Sequence, residues 1–548
     1  MKKYLLNISL FLVLISCSSE PKKTSIVLPK IDFKKDLLSY FESNFKLLTD
    51  SSSVQKIPLD SVPWLRFFYK NVGFTPVWIN DSIEVNTNGK LLIEQLATAL
   101  NYGIDTTLYN TSALRKLDSN ILNIKNKEDR YALAFDIEVL LSNYYMLHGK
   151  HLNYGVLERI DSVTILPRKK FSVDMPSYFL KAYKNDSLFE KLVNLQPKSF
   201  PYRELQKGLV RYLKTASLSK DSVPVENFRI DSLNAIIQSK KALVLHKYLD
   251  SVSNDSLFFD ALKKFQFAHG LESDGLIGKN TAKALSKSPY SYYQTIAANL
   301  ERWRWKEELE TDFILVNIPS YQLEVFKENK LMLTSKTVVG KRKTQTPEIR
   351  DSLQYVIAYP YWNVPRKISV EEILVNAKKD STYLIRNKYE VLTYTKESVA
   401  IDSVNWEAMN NDTFNYLIRQ KGGGYNSLGL VKFIFPNKHA IYLHDTPSKQ
   451  HFNFETRAYS HGCVRVEKAM ELSNYILESD NNKYSIDSIY KFIEKEKEKP
   501  IKLNYRLPVY IYYLTAKVNQ DDNLILYEDI YGLDSKLIES LKQQQKSI

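Results

Sequence analysis

Cysteine is nearly absent from this 548-residue chain, which has two, beside eight histidines and 16 glycines. Two thiols exclude a disulfide-dense scaffold and any four-cysteine zinc or iron–sulfur site. Long hydrophobic runs are missing too. Beyond the extreme N-terminus no segment offers about eighteen apolar residues without charge, so none reads as a membrane span. Nor does an uninterrupted basic run occur, although Lys+Arg outnumber Asp+Glu by 76 to 62, a net charge of +14. Scattered lysines do not track a phosphate backbone, so nucleic acid is not an expected partner. The surplus suggests an acidic partner of another kind. No internal repeat stands out either. What is present is a 44% apolar, 12% aromatic composition, enough to build real cores. The length fits roughly three to four domains.

The N-terminus sets the expected compartment. Lys2 and Lys3 precede an apolar run from Tyr4 to Ile15 and then Ser16-Cys17. A basic start with so short an apolar stretch reads as a secretory signal. Its ending, Leu14-Ile15-Ser16-Cys17, resembles the bacterial lipobox, which implies cleavage before Cys17 and diacylation of its sulfur. Residues 1–17 are then a lipoprotein signal peptide and 18–31 a polar tether. The expected location is the cell envelope, with the chain lipid-anchored and facing the periplasm, most readily at the outer membrane. Cys463 would be the one thiol of the mature chain. A lone thiol in an exported protein has no intramolecular partner and is a candidate reactive group.

Three architectures follow. Residues 32–250 are mostly helical in period and read as a scaffold: Lys90–Leu100 with Gly103 as a stop, and Tyr131–Leu147 closed by Gly149. Phe258–Leu285 carries Phe265-Gln266, Gly270-Leu271, Asp274-Gly275, Gly278, Thr281 and Ala284-Leu285 in series. That series resembles the peptidoglycan-binding domain and implies a small three-helix unit over 251–290, with 291–311 as a connector. From Asp312 the period shifts toward two, with strands expected at Phe313–Ile318, Tyr321–Phe326, Tyr355–Tyr359, Leu430–Phe435 and Ala440–Leu443. Between Arg366 and Gly424 the strand signal weakens, helical Val370–Lys379 intervenes, and a lid-like insertion (366–424) is expected. Gly422-Gly423-Gly424 is no phosphate loop, because no Gly-Lys-Ser/Thr follows. Residues 506–548 read as a final hairpin and helix packing on the core.

The chemistry concentrates between His439 and Arg465. Four histidines (His439, His444, His451 and His461) share this window with Cys463. A thiol nucleophile needs a base or a cation nearby. Gly462 lets backbone approach a substrate, and Arg465 has a fork of donors suited to a carboxylate. His439 and His451 read as surface histidines.

His444-Asp445-Thr446 and Ser460-His461-Gly462-Cys463-Val464-Arg465 resemble the signature of the L,D-transpeptidases (the YkuD-like domain), and the flanks are similar to the large multi-domain Gram-negative members. The resemblance implies a multi-domain α+β chain. Its parts are a helical scaffold, a small three-helix peptidoglycan-binding domain and a β-rich catalytic domain over 312–505 with the inserted lid. By the same resemblance Cys463 is the nucleophile and His444 its general base. His461, Gly462 and Tyr442 shape the oxyanion region, and Arg465 and Ser460 contact substrate. Spacing leaves open an exchange of roles between the two histidines, and whether Asp445 orients the imidazole or points away. The implied reaction joins peptidoglycan stem peptides by 3→3 cross-links through a Cys thioester, releasing D-Ala, with no cofactor and no metal. An L,D-carboxypeptidase using the same site and a non-enzymatic wall-binding lipoprotein are the alternatives. A zinc hydrolase lacks its His-Glu-x-x-His, and a papain-like enzyme has Cys before His in chain order.

Overall fold

A computed structural model describes residues 35–157, 168–250 and 255–546. The signal peptide, Cys17 and the tether lie outside the described residues. So do residues 251–254, where the wall-binding unit was expected to start.

The first helical body is built around one long helix that is apolar on nearly every face. Helices α1 (Lys35–Leu47), α2 (Val62–Asn71), α3 (Thr87–Ala97) and α4 (Thr111–Ile121) surround α5 (Lys127–Tyr154), as do α6 (Met175–Lys184) and α7 (Leu188–Asn194). A short hairpin, β1 (Ser53–Val54) with β2 (Ile57–Pro58), also contacts α5. The side chain of Asn126 caps α5 by accepting from the Glu128 and Asp129 amides. Gly149, expected to end this helix, lies inside it. A Cβ there would come within 2.5 Å of the Met175 side-chain end and 2.9 Å of that of Leu195, so the glycine leaves room for close packing at the start of α6. The helix ends instead at Gly155, whose φ of +99° a side chain would resist.

The small helical unit begins earlier in the chain than 251. Val225 and α9 (Ser232–Leu245) share a core with α10 (Asp255–Ala268) and α11 (Lys279–Leu285), through Leu243, Leu262, Phe265 and Leu285. Buried Gln266 ties its turn together: Nε2 donates to Asp274 and to the Leu276 carbonyl, while Oε1 accepts from Gly275 N–H. That is the physical content of the Phe-Gln … Asp-Gly spacing.

The expected connector is a buried helix, α12 (Pro289–Trp305). With α8 (Phe200–Thr215) it covers one face of the main sheet. That sheet contains β3 (Phe313–Asn317), β4 (Gln322–Lys327), β5 (Lys330–Gly340), β6 (Ile349–Ser352) and β7 (Tyr355–Ala358). Strand β3 is buried throughout because its two faces meet two cores: Phe313 and Leu315 pack with α8 and α12, Ile314 and Val316 with the opposite side.

The insertion between Tyr359 and Leu430 has a fold of its own. Strands β8 (Trp362–Asn363), β9 (Tyr389–Leu392), β10 (Ser398–Val399) and β11 (Leu417–Gln420) pair in the order β10-β9-β11-β8. Against them lies a helical stretch made of α13 (Arg366–Ile368), a π turn over Ser369–Leu374 and α14 (Val375–Lys379), followed by α15 (Tyr383–Arg386). Leu374, Leu384, Val391 and Ile418 form its core. The weakened strand signal therefore conceals four short strands, two of them only two residues long and too brief to show a period.

The chain then returns to the main sheet through β12 (Val431–Ile434), β13 (Leu443–His444), β14 (Ala458–Ser460) and β15 (Val464–Val466). Helices α16 (Ala469–Ser479) and α17 (Ile486–Glu494) precede β16 (Lys499–Lys502) and β17 (Pro508–Tyr512). The strand order is β16-β7-β12-β13-β15-β5-β4-β3-β17-β6, with β14 beside β5. Strand β17 runs parallel to β3 inside the sheet, so the C-terminal region completes the main sheet as well as packing on it. The hairpin itself is the next pair, β18 (Ala516–Val518) with β19 (Leu524–Leu526), and α18 (Leu533–Lys546) follows. Among the described residues no helix is long and apolar enough to cross a membrane.

Candidate active site

Three neighbouring strands bring the polar groups together. Lys432 on β12 is in register with His444 on β13, and His444 with Arg465 on β15. Side chains two residues apart share a face, so Tyr442 and Cys463 join the same surface one step away. The tie between them is direct, since Val464 N–H donates to the Tyr442 carbonyl at 3.1 Å.

The Cys463 thiol is half-buried, and burial pushes its pKa up. The neighbouring Tyr442 amide and hydroxyl pull the other way, as do the charges of Lys432 and Arg465. Its proton points to the Ala440 carbonyl, 3.9 Å away. Trp362, from the insertion, acts on the Tyr442 hydroxyl and opposes the rise that burial gives its pKa.

His444 is buried, and its Nδ1 lies 2.5 Å from the Asp445 carbonyl oxygen. A carbonyl only accepts, so Nδ1 carries the proton and Nε2 presents its lone pair. Burial first, then the Arg465 charge, lowers its pKa to about 3, with Lys432 adding to the effect and the Asp445 carbonyl opposing it. At neutral pH the ring is an uncharged base. The Asp445 carboxylate points away: it accepts from Leu430 N–H at 2.9 Å and from Lys449 Nζ at 2.6 Å.

Two expected contacts have other jobs here. Ser460, read as a substrate contact, is buried with its hydroxyl engaged inside the loop. It donates to the Cys463 carbonyl at 2.6 Å and accepts from Gly462 N–H at 3.0 Å. His461, read as shaping the oxyanion region, is exposed and turns to Glu372 in the π turn of the insertion, with Nε2 2.6 Å from the carboxylate. Gly462 has φ +122° and sits against Ile441, so a side chain is disfavoured there. Its amide is taken by Ser460 and its carbonyl by Thr346 Oγ1 at 2.7 Å.

Arg465 donates to Nδ1 of His451 at 3.1 Å. His451 is therefore a partner of the site and only partly exposed, contrary to its surface reading; it also stacks on Tyr459. His439 is exposed, as expected. Lys432 and Trp362 were missed from sequence. Their signal is register with His444 and a contact across the insertion, neither visible in linear spacing. Among the described residues no group of three or more His, Cys, Asp or Glu is arranged to hold a metal ion.

This geometry coincides with a known family. Residues 311–497 match the L,D-transpeptidase catalytic domain (YkuD). Residues 63–209 match a family described as a scaffold domain. A Haemophilus influenzae protein named "Putative L,D-transpeptidase" is 31% identical over 298 residues, which is 54% of this chain and 58% of that protein. The chain thus spans little more than half the length of the curated relative it matches. A Stackebrandtia nassauensis L,D-transpeptidase crystal structure is 13% identical, covering 54% of this chain and 97% of that one, with a TM-score of 0.19. The avibactam carbamoyl enzyme of an L,D-transpeptidase is 11% identical, covering 37% and 49%, with a TM-score of 0.16. Superpositions this loose transfer no geometry to the present site.

Proposed function

We propose that the protein is a peptidoglycan L,D-transpeptidase that forms 3→3 cross-links between stem peptides. The supporting observation is the Tyr442–Cys463–His444 arrangement: a half-buried thiol on the strand face that also carries Tyr442 and a neutral imidazole whose free nitrogen is Nε2. The S–H swings from the Ala440 carbonyl and gives its proton to His444 Nε2 as sulfur attacks the carbonyl joining the third stem residue to D-Ala. The Tyr442 hydroxyl donates toward the developing oxyanion. Collapse breaks the C–N bond, His444 returns the proton to the departing amine, and D-Ala leaves a thioester on Cys463. The side-chain amine of a second stem then attacks, loses its proton to His444 and expels the thiol, which is restored. Acyl transfer through a thioester conserves the energy of the amide and needs no nucleotide. Arg465 holds a stem carboxylate at the edge of the site.

A cleft of about 630 Å³ on the small helical unit, lined by Phe228, Ile236, Phe258, Phe259, Leu276 and Lys279, is the surface for holding the wall substrate. Cys17 carries the lipid that keeps the enzyme at the envelope.

The test is incubation of the protein with tetrapeptide stems, with products read by mass spectrometry. Released D-Ala with 3→3 dimers, both lost in Cys463→Ala, is the expected result. Tripeptide without dimers would replace transfer with hydrolysis at the same site. Products that persist in Cys463→Ala would remove the thiol from the reaction.

A further inference from the structure

A thiol that attacks at neutral pH needs positive charge beside it, and an imidazolium is the common source. This site does not hold one: His444 is buried, bonded through Nδ1 to a carbonyl, and its pKa is lowered to about 3 by burial and by Arg465 and Lys432. The positive charge has to come from a group that stays protonated.

Lys432 has the required placement. The pairing of β12, β13 and β15 sets Lys432, His444 and Arg465 in one row, cation, imidazole, cation. Lys432 Nζ stands 3.9 Å from the centre of the Tyr442 ring, and Tyr442 is tied to the Cys463 segment by the Val464 N–H bond to its carbonyl. Among the described residues no carboxylate lies within ion-pair distance of Lys432. The acid nearest in influence is Glu498, next to β16, which accepts from the Tyr361 amide. Burial alone disfavours the charged ammonium, and the Cys463 thiolate favours it. A largely buried cation without a counter-ion is stabilised when an anion forms beside it.

We propose that Lys432 is the counter-cation of Cys463, a positioning residue that stabilises the thiolate and the anionic intermediate through the Tyr442 ring and hydroxyl. The inference rests on Cys463 being the nucleophile. During attack the S–H proton passes to His444 Nε2, and Lys432 stays protonated throughout. The imidazolium so formed lies between two fixed cations, which favours prompt return of its proton to the leaving amine. Arg465 supports the same field from the other side while engaged with His451.

The experiment is alkylation of the full-length protein by iodoacetamide from pH 6 to pH 10, in which an S–C bond forms and iodide leaves. Peptide mass mapping separates Cys463 from Cys17. Lys432→Met is expected to raise the apparent thiol pKa by about one unit and slow alkylation about tenfold at pH 7. Lys432→Arg is expected to recover it to within about threefold. Thermal melting is followed in parallel, and Lys432→Gln replaces Lys432→Met if the latter loses its cooperative melt. A purely structural lysine would lower the melting temperature and leave the pH profile of alkylation in place. That outcome overturns the proposal, as does a loss that Lys432→Arg fails to recover. Both are distinct from failure of the nucleophile reading, which shows as cross-linked product surviving Cys463→Ala.

Discussion

His444 donates Nδ1–H to the backbone carbonyl of Asp445, and the Asp445 carboxylate faces the other way, onto the Leu430 amide and Lys449. The imidazole is thus oriented by the chain itself. Asp445→Asn removes a charge but leaves the carbonyl, so kcat is expected to fall by less than about tenfold, far short of the ~10⁴-fold loss seen where a carboxylate orients the base. Stability suffers more, because a charge-assisted bond to a buried amide is worth about 1–3 kcal/mol. Steady-state kinetics beside a melting curve separates the two. A loss approaching 10⁴-fold would restore the carboxylate to the catalytic machinery.

The neutral imidazole sets the pH behaviour. His444 has its folded pKa lowered to about 3 from 6.5, so below pH 6.5 the unfolded state takes up a proton that the folded state refuses. Stability from this group is complete above pH 6.5 and is lost as pH falls toward 3. His148 and His269 are buried with the same shift and the same sign. Between pH 6.5 and pH 5 each contributes a loss of about 2 kcal/mol. Melting at pH 7 and at pH 5 measures the sum. The activity profile should show no acid limb near pH 6.5 from the base, and should rise toward alkaline pH with the thiol, whose pKa burial raises.

Ser460 braces the Cys463 loop by bonding Gly462 N–H and the Cys463 carbonyl. In Ser460→Ala both groups lose that partner and the loop loses its register. The expected effect is a fall in kcat of about ten- to a hundredfold with KM nearly unchanged. A raised KM at constant kcat would return Ser460 to substrate binding.

Tyr531 lies beyond the family-matched segment, yet it reaches the same loop. Its hydroxyl donates to the Gly340 carbonyl at 2.6 Å and accepts from Thr346 N–H, while Thr346 Oγ1 donates to the Gly462 carbonyl. Tyr531→Phe should lower kcat about three- to tenfold and lower the melting temperature by about 2–4 °C. Unchanged kinetics would show that Thr346 holds Gly462 without this support.

Sequence legibility followed the range of the interactions. The strands expected from Phe313, Tyr321, Tyr355 and Leu430 have side chains that alternate between two environments, and the structure places strands there within a residue. Strand β5 is not among the strands expected, although its exposure alternates from Lys330 to Thr337 before Val338–Gly340 become wholly buried. Gly149 looked like a stop because an isolated glycine usually punctuates a helix. Only the approach of Met175 shows that it serves close packing.

The sequence by itself determined the local chemistry: a thiol preceded by glycine, a histidine ahead of it at the end of a strand, and a helical unit whose glutamine matches an Asp-Gly turn. Those features are carried by residue identity and short spacing, which folding does not alter. The tertiary structure decided which groups meet. Cross-strand register put Lys432 beside His444 and Arg465, the insertion delivered Trp362 to Tyr442, and local backbone turned Asp445 away and took Ser460 into the loop. Hydrogen-bond pairing between distant strands sets such neighbours, and buried polar groups are satisfied by whichever partner the packed fold brings within reach.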